Sequence, residues 1–597
     1  MDDLKQFRQT GSKTPGHPEA NHGVTGIEVT TGPLGQGISS AVGLAIAEAH
    51  LGATFNKPGF NLIDNYTFVI LGDGCLQEGV QAEAVSLAGH LKLGKLIALY
   101  DDNHISIDGD TELGFTEDVI QRFQSYGWHT LVVADGDNDV AGLKAAIEAA
   151  KLVVDKPSLI KIRTTIGFGS TSQGEEKVHG APLGPADVAQ VKSRFGFDPS
   201  QSFVVPQEVY NHYQQVTANG NALYAQWQLL FAKYAQQYPQ LAQELQRRID
   251  KKLPSGLIDA LPRFSPSDAP NATRKLSEVV INKVADILPE LIGGSADLTG
   301  SNLTRWKSAV DFQPASTGLG NYAGRYIRFG VREHGMAAIC NGLNAYGALI
   351  PFGATFFNFI SYALGAVRLS ALSKHQVLYI MTHDSIGLGE DGPTHQPIET
   401  LASIRALPNL LTLRPADGNE TSGCYLAALQ NTTRPSVLIL TRQNLPQLNG
   451  SSIEKTLKGA YVLQEAPQGK TAHLTFVATG SEVSLAVDAS SLLTSQGFIV
   501  RIVSMPSWEL FEDQTQEYKE SVFTKGSPVI SVEAMSTVGW SKYAHAQIGI
   551  DTFGASGPYK EVYAKFGLVP DVVAVKAKRV IEHYSNVVPE WKVKPLF

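Results

Sequence analysis

Two apolar segments of this chain end in polar side chains of the kind that bind metal ions. The segment 66–71 runs into Gly72-Asp73-Gly74, and the segment 95–100 runs into Asp101-Asp102-Asn103. Asp73 offers a carboxylate, Asn103 an amide oxygen and the following loop a carbonyl such as that of Ile105. These hard oxygen donors suit Mg²⁺ or Ca²⁺, and a cation held in this way can also bind a diphosphate.

The strand–helix–strand pattern predicted for 66–103 is what would bring those donors together. In a βαβ unit both strands end at the same edge of a parallel sheet, where ligands bind. Gly72 and Gly74 let the backbone approach a phosphate closely. A Gly-Asp-Gly tripeptide is by itself more typical of a turn, so a solvated loop at the strand ends is the alternative interpretation.

A glycine-rich stretch, Thr-Thr-Gly-Pro-Leu-Gly-Gln-Gly at 30–37, precedes an alanine-rich helix predicted over 38–49. Glycines in front of a helix N-terminus can bind an anion or admit a flat ring. The match to the dinucleotide pattern is incomplete, which disfavours a dinucleotide-binding fold. A flexible loop leading into the helix is the alternative.

Candidate groups for binding a heterocycle occur in the second half of the chain. Glu333 lies in the segment 330–336, which opens a helix after a predicted strand; a first-turn Glu often serves only the helix dipole. A helix predicted over 355–364 carries Phe356, Phe359 and Tyr362 at positions i, i+3 and i+6. These rings are either core residues or a platform for a heterocyclic ring.

The segment 383–397 is the densest in chemistry, because it places His383, Asp391 and His395 in one loop after an apolar strand. Such a loop suits proton transfer and recognition of hydroxyl groups. Arg274 and Arg442 carry guanidinium forks that suit a sugar phosphate, although a surface salt bridge explains either one taken alone.

The bulk properties exclude several classes of protein. The chain has 597 residues, which predicts three to four domains, and its net charge of −8 does not favour nucleic acid as a partner. Three cysteines without a CxxC pair argue against a disulfide framework or a zinc site. The N-terminus has no apolar signal core, no uninterrupted apolar run approaches membrane-spanning length, and 594–597 is not a peroxisomal address, so a cytoplasmic location is expected.

Taken together, these segments resemble the transketolase family over essentially the whole chain. The matching stretches include TTGPLGQG, GDGCLQEG, YDDNHISIDG, HGAPLG, GGSADLTGSNLT, GVREHGM and THDSIGLGEDGPTHQP. The resemblance implies an α/β protein of three consecutive doubly wound domains. These would be a pyrophosphate domain that is incomplete at its N-terminus (1–235), a linker (236–270), a pyrimidine domain (271–455) and a C-terminal domain (456–597).

The resemblance also implies which residues bind thiamine diphosphate (ThDP) and a divalent cation, Mg²⁺ or Ca²⁺. The implied metal ligands are Asp73, Asn103 and the carbonyl of Ile105. The other implied cofactor contacts are Gly32, Leu34, Gly74, His179, Asp297, Glu333, Phe356, Phe359 and Tyr362. Glu333 is implied to contact the aminopyrimidine N1′, and Glu78 and Glu83 to belong to a carboxylate cluster at a subunit interface.

A third implied set binds substrate or moves protons. Its substrate contacts are His17, Arg274, Ser301, His383, Asp391, His395 and Arg442. Its catalytic members are Glu333, His179, His395, His383 and His17. The implied activity is transfer of a two-carbon ketol unit, in the pentose phosphate pathway, from a ketose phosphate such as xylulose 5-phosphate. The acceptor is an aldose phosphate such as ribose 5-phosphate or erythrose 4-phosphate, and the active sites lie at the interface of a homodimer.

The chain departs from the family at its N-terminus. Members of the family carry a leading segment with Ser-Gly-His-Pro and Asn-Gly-His-Gly motifs, and this sequence starts after both. An incomplete gene, an alternative start or a segment supplied by another chain would each explain this. Two further functions therefore stay open: a catalytically impaired transketolase-like protein, and dihydroxyacetone synthase.

Overall fold

The computed structural model describes residues 1–523, 525–585 and 587–588. Within them the chain forms two compact units. The first unit comprises Met1–Lys252, Val310–Arg325 and His334–Leu349, and the second comprises Leu253–Ala309, Tyr326–Glu333 and the described residues from Ile350 onward. The end of the predicted C-terminal domain, 589–597, lies outside the described residues.

The first unit is built on a parallel sheet flanked by helices. Its strands are β1 (Thr67–Gly72), β2 (Leu96–Asp102), β3 (Ile105–Ser106), β4 (Gly109–Asp110), β5 (His129–Val133) and β6 (Ser158–Arg163). The helices of its N-terminal part are α1 (Asp2–Lys5), α2 (Gln36–Phe55), α3 (Asp73–Gln77), α4 (Gly79–His90), α5 (Val119–Ser125), α6 (Val140–Lys151), α7 (Pro185–Arg194), α8 (Gln207–Gln237) and α9 (Pro239–Ile249).

The register of this sheet confirms the predicted βαβ unit. The strand order is β1-β2-β6-β5, every pairing is parallel, and Gly72 lies opposite Asp101. One face of the sheet packs Ile97 and Ile160 against Ala150 of α6. The edge strands are less well covered, because Ile70 of β1 and Val132 of β5 are 77% and 62% exposed.

The second unit contains a six-stranded parallel sheet in the order β11-β12-β10-β9-β7-β8. Its strands are β7 (Leu291–Ser295), β8 (Tyr326–Arg328), β9 (Ile350–Phe356), β10 (Leu378–Thr382), β11 (Leu411–Leu413) and β12 (Ser436–Leu440). The helices along this part of the chain are α10 (Leu257–Ala260), α11 (Thr273–Ile287), α12 (Thr299–Asn302), α13 (Glu333–Tyr346), α14 (Ile360–Leu372), α15 (Thr400–Arg405), α16 (Gly418–Gln430) and α17 (Ile453–Thr456). Helix α13 belongs to the second unit only at Glu333.

The second unit also contains a five-stranded sheet in the order β13-β15-β14-β16-β17, parallel except for the antiparallel pair β13–β15. Its strands are β13 (Tyr461–Gln464), β14 (Leu474–Ala478), β15 (Val500–Ser504), β16 (Val529–Val532) and β17 (Ala546–Ile548). Its helices are α18 (Glu482–Ser495), α19 (Trp508–Glu512), α20 (Gln516–Val522), α21 (Tyr559–Lys565) and α22 (Pro570–His583). The three sheets confirm the predicted class of three consecutive doubly wound α/β domains.

The structure corrects one prediction about an element. The helix predicted over 355–364 is wrong, because β9 continues through Phe356 and a 3₁₀ turn, Phe357–Phe359, precedes α14. Of the three aromatic residues that suggested helical spacing, Phe356 ends a buried parallel strand, Phe359 lies in the turn and Tyr362 lies in α14. Within the predicted linker, α9 follows α8 directly, and Ala242 and Leu245 of α9 are buried.

Helix α2 qualifies the expectation that no segment reaches membrane-spanning length. It is the one helix of the described residues that is long and apolar enough to cross a membrane, but 72% of that window is buried inside the structure. A mostly buried helix of this kind is also what the core of a globular domain contains.

Candidate active site

The predicted metal ligands lie at the carboxyl ends of β1 and β2. Asp73 starts α3 directly after β1, and the register places this point beside Asp101 at the end of β2. The hydroxyl of Tyr100 donates to Asp73 Oδ1 at 2.5 Å and to Asp102 Oδ1 at 3.1 Å, which fixes the two carboxylates side by side. Sequence reasoning missed Tyr100, because nothing in the local pattern distinguishes it from a core tyrosine.

The Asp73 carboxylate is buried, and its second oxygen, Oδ2, has no hydrogen-bond partner in the described part of the chain. Burial raises the pKa of the Asp73 carboxyl, and the charges of Asp102 and Asp101 raise it further, against the hydrogen bond from Tyr100. An unpaired buried carboxylate oxygen is costly, and a cation at Oδ2 would remove that cost.

The loop after β2 supplies the remaining predicted donors. Asn103 Oδ1 accepts a hydrogen bond from the backbone N–H of Ile105 at 3.0 Å, which leaves one lone pair for a cation. His104 has φ +60°, and this left-handed residue folds Ile105 back onto Asn103. No group of three or more His, Cys, Asp or Glu side chains in the described residues could hold a metal, so a site here would need donors of other kinds, such as amide or carbonyl oxygens.

The glycine-rich loop packs against this metal-site region. A Cβ on Gly74 would lie 2.9 Å from Leu34 Cδ1, and one on Gly35 would lie 2.8 Å from Glu78 Cβ. Gly32 has φ +123°, and a Cβ on it would lie 3.5 Å from the His17 ring. The structure therefore packs Gly32 against His17 and Gly74 against Leu34, and at Gly74 and Gly35 it leaves too little room for a side chain.

Three further predicted residues of the first unit lie apart from the metal donors. His179 follows a 3₁₀ turn and is exposed, and Glu78 is exposed. Glu83 accepts a 2.6 Å hydrogen bond from the backbone N–H of Gly335 in α13. The neighbouring His334 ring contacts Gln36 Nε2 at 2.7 Å, a pair that the sequence did not predict.

In the second unit, the three predicted aromatic residues form a cluster with two histidines. The Phe356 and Phe359 rings are nearly parallel at 6.1 Å, and Tyr362 lies at 6.0 Å from Phe359. The ring of His383 stacks on Phe356 at 3.7 Å, and that of His395 lies 5.1 Å from Phe359. Tyr362 is 69% exposed, so it lies at the open side of this cluster.

His383 is the most strongly perturbed of the predicted proton-transfer residues. Burial lowers its pKa, and the positive charges of Arg274, Arg442 and His395 lower it further, to about 3. Its Nδ1 lies 2.8 Å from the Thr382 hydroxyl. The imidazole is therefore neutral near pH 7, and its ring nitrogens can take part in hydrogen bonds without a positive charge.

Arg274 and Arg442 create a positive region beside His383. Arg274 Nη1 donates to the carbonyl of Ser301 at 2.6 Å, and its buried Nε has no hydrogen-bond partner among the described residues. Burial and the charge of Arg442 lower the pKa of Arg274. Arg442 is partly exposed and lies 3.9 Å from Glu390. The two guanidinium groups repel each other, and a bound anion would reduce this repulsion.

The other predicted residues of the second unit lie at its surface or near it. Asp391 is exposed in the 383–397 loop. Asp297 is exposed and has φ +60° just after β7. Glu333 is half-buried as the first residue of α13. The structure thus groups the predicted residues into a metal half in the first unit and an aromatic, histidine and arginine half in the second.

Comparison with known proteins gives matches along most of the chain. Three family models match in succession: "Transketolase, thiamine diphosphate binding domain" over residues 1–254, "Transketolase, pyrimidine binding domain" over 269–447 and "Transketolase-like TK C-terminal domain" over 459–569. Transketolase of Scheffersomyces stipitis is 58% identical over 98% of this chain and 86% of that protein. Transketolase 1 of Saccharomyces cerevisiae is 57% identical with the same coverage.

Solved structures agree with these relatives. A crystal structure of Pichia stipitis transketolase in complex with sedoheptulose 7-phosphate has a TM-score of 0.98 and 57% identity, over 100% of this chain and 88% of that chain. Transketolase from Leishmania mexicana has a TM-score of 0.95 and 51% identity, over 99% of this chain and 87% of that chain. The fraction of each relative that this chain covers does not show which part of the relative is unmatched. These coverages therefore do not support the expected absence of a leading segment. The chain belongs to the transketolase family.

Proposed function

We propose that this protein transfers a two-carbon ketol unit from a ketose phosphate to an aldose phosphate with the help of ThDP and a divalent cation. The observation that carries the proposal is the unpartnered, buried Oδ2 of Asp73, next to Gly74, whose position against Leu34 has no room for a side chain. Membership of the transketolase family supports the same reaction.

The residues of the first unit fit a cation that holds a diphosphate. Asp73, Asn103 and the carbonyl of Ile105 would hold Mg²⁺ or Ca²⁺, and Gly74 would let the diphosphate approach the backbone. Gly32 and Leu34 would contact the ring system of the cofactor. When bound, ThDP supplies a thiazolium carbon that can act as a nucleophile and an electron sink, which no side chain of the protein can provide.

The residues of the second unit fit the remaining tasks. Phe356 and Phe359 would cover the pyrimidine ring and exclude water, and Glu333 would share a proton with its N1′ atom. Neutral His383 would hydrogen-bond to a substrate hydroxyl, with His395, His179 and His17 as the proton-transfer groups. Asp391 would bind a substrate hydroxyl, and Asp297 would border the cofactor.

A phosphorylated substrate fits the charges beside His383. Arg274 and Arg442, with Ser301, would bind the phosphate, and the repulsion between the two guanidinium groups would be relieved by it. The Pichia stipitis enzyme has been crystallised with xylulose 5-phosphate and with sedoheptulose 7-phosphate. We extend this class of substrate, ketose phosphates, to the present chain.

The two halves of the site lead to a proposed assembly. The active form would be a homodimer in which Asp73 of one subunit and Glu333 of the other serve the same cofactor, with Glu78 and Glu83 at the interface. A cytoplasmic location and a place in the pentose phosphate pathway are expected with this activity.

The test is release of glyceraldehyde 3-phosphate from xylulose 5-phosphate plus ribose 5-phosphate, measured with and without ThDP and Mg²⁺. We expect release only when both are present. No release at saturating cofactor from a folded dimer would leave only a catalytically impaired, transketolase-like protein. A preference for formaldehyde as acceptor in a parallel panel would instead identify dihydroxyacetone synthase.

A further inference from the structure

The backbone of His383 adopts a conformation that its own residue type disfavours. His383 has φ +63°, in the left-handed region, directly after β10. A residue with a Cβ persists there only when surrounding contacts hold it. The side chain of His383 has two contacts that could hold it there: a hydrogen bond with the Thr382 hydroxyl and stacking on the Phe356 ring.

The next residue, Asp384, is anchored much more firmly. Its side chain is fully buried, and its Oδ2 accepts hydrogen bonds from Arg414 Nε at 3.0 Å and Nη2 at 2.7 Å. Ser385 Oγ donates to Asp384 Oδ1 at 3.0 Å. A buried carboxylate with two guanidinium hydrogen bonds cannot rotate without losing both, so Arg414 fixes the peptide that follows His383.

Arg414 is in turn held by the loop that leads from β14 into α18. Its Nη1 donates to Glu482 Oε2 at 2.6 Å and to Thr479 Oγ1 at 2.8 Å. Its Nη2 donates to Ser481 Oγ at 3.1 Å, and the hydroxyl of Tyr563 in α21 donates to Glu482 Oε1 at 2.9 Å. The side chain of Arg414 is 1% exposed, so its anchors all come from the protein.

A second connection joins the same loop to the same sheet. Gln396 follows His395, and its Nε2 donates to the carbonyls of Gly389 at 3.0 Å and Ala555 at 2.9 Å. Its Oε1 accepts from the backbone N–H of Ala555 at 2.9 Å. Both histidines of the proposed site are therefore followed by a buried residue that the five-stranded sheet and its loops hold in place.

We propose that Arg414 is a positioning residue for His383, and that the five-stranded sheet serves the reaction by holding Arg414. This inference rests on the proposed function, because it assigns His383 a role in binding and orienting the ketose phosphate. Arg414 touches neither substrate nor cofactor; it acts through Asp384. This role of Arg414 differs from a role in stability alone, because loss of Arg414 should slow only the reaction steps that use His383.

A double-mutant cycle with Arg414→Lys and His383→Ala tests the inference on the holoenzyme. Lysine keeps the charge but cannot make both hydrogen bonds to Asp384. We expect Arg414→Lys to lower kcat/KM for xylulose 5-phosphate by about 10–100-fold, because a displacement of about 1 Å costs that much. In the His383→Ala background it should cost less than about twofold, because the residue that it positions is gone.

Exchange of the ThDP C2 proton provides the second readout. This exchange uses Glu333 and not His383, so Arg414→Lys should leave its rate within about twofold of wild type. The matched control is Arg501→Lys in β15, because Arg501 is also buried and pairs with Glu465 at 3.0 Å, and it donates hydrogen bonds to the carbonyls of Ser521 and Val522. It should reduce thermal stability without a comparable loss in kcat/KM.

The inference is overturned if the Arg414→Lys loss is equally large in the His383→Ala background, or if C2 exchange falls in parallel with turnover. It is also overturned if folded Arg414→Lys keeps wild-type kcat/KM. Should Arg414→Lys fail to fold, Asp384→Asn, which keeps the size of the side chain, enters the same cycle with the same criteria. A wild-type protein that transfers no ketol unit would count against the proposed function instead.

Discussion

Glu333 and His383 lie in different environments, and each environment suits a different chemical task. Glu333 is half-buried at the start of α13, whereas His383 is buried beside two arginines that hold it neutral. The account gives them different tasks: Glu333 shares a proton with the cofactor, and His383 forms a hydrogen bond with the substrate. Each task can be measured without the other.

Glu333→Gln should leave ThDP affinity nearly unchanged and slow exchange of the C2 proton by at least about 100-fold, because glutamine cannot share an acidic proton. Proton NMR of acid-quenched samples measures the exchange. The control is Glu399→Gln, at an exposed carboxylate of the same unit. Exchange at the wild-type rate in Glu333→Gln would contradict the role of Glu333.

The depressed pKa of His383 makes a prediction about stability and pH. The neutral form is favoured in the fold, so between pH 6.5 and about 3 the unfolded chain binds more protons than the folded chain. The free energy of unfolding should therefore fall as pH is lowered through 6.5, by up to about 1.4 kcal/mol per pH unit from this residue. Urea midpoints of wild type and His383→Gln between pH 6.5 and about 5 measure the difference.

The variant should lose less stability than wild type as the pH falls. Parallel pH dependences of the two proteins would mean that His383 titrates in the folded protein much as it does in the unfolded chain. That result would remove the argument that Arg274 and Arg442 act on a neutral imidazole.

At the scale of elements, the packing of α2 against α13 depends on reciprocal glycines. A Cβ on Gly43 would lie 2.1 Å from the carbonyl oxygen of Ile339, and one on Gly342 would lie 1.9 Å from that of Ser40. Both distances are far below van der Waals contact, and the obstructing atoms are backbone. The two helices can therefore pack at this distance only with glycine at both positions.

Gly43→Ala should destabilise the protein by about 1–3 kcal/mol, because the backbones of the two helices must separate. Gly220→Ala is the matched control, since a Cβ there meets nothing within 4 Å in the middle of α8. It should raise stability by about 0.5–1 kcal/mol through helix propensity. Thermal melts of both variants measure the contrast, and equal melting temperatures would contradict this account of the α2–α13 contact.

The sequence predicted the elements best where burial on both faces produced continuous apolar runs. The predicted strands at 158–163, 436–440 and 474–478 coincide with β6, β12 and β14. The helix at 355–364 was wrong because the spacing of three aromatic residues also fits a strand end followed by a turn. The pairing of β9 with its neighbouring strands determined the structure of this segment, and the local sequence pattern carries no information about that pairing.

Residue partnerships were the least predictable feature of the site. The types and positions of Asp73, Asn103 and His383 could be singled out from spacing. The partners that set their chemistry could not: Tyr100 reaches Asp73 across neighbouring strands, and Arg414 reaches Asp384 from a different strand. A single sequence holds no signal for contacts between distant positions. The predicted domain boundaries likewise stay predictions.

At the scale of the whole molecule, the proposed dimer predicts that two inactive variants complement each other. Asp73→Ala lacks the metal half of the site, and Glu333→Ala lacks the proton-sharing half. Half of a randomly reassorted equimolar mixture is mixed dimers with one intact site of two, so about a quarter of wild-type activity should return. Each variant alone, reassorted in the same way, is the control.

Complementation would fail if both halves of a site came from one subunit. Activity no higher than the mean of the two controls, with mixed dimers confirmed by native mass spectrometry, would exclude the shared site. It would leave the ketol-transfer reaction itself untouched, because that reaction needs only that the two halves meet.

The central claim is that Asp73 anchors a cation and, through it, the diphosphate of ThDP. Isothermal titration calorimetry of ThDP into the protein, with and without Mg²⁺, tests this directly for wild type and Asp73→Ala. The account predicts tight binding by wild type only when Mg²⁺ is present, and loss of that Mg²⁺-dependent binding in a folded Asp73→Ala variant. Equal, Mg²⁺-dependent affinity in both proteins would contradict it.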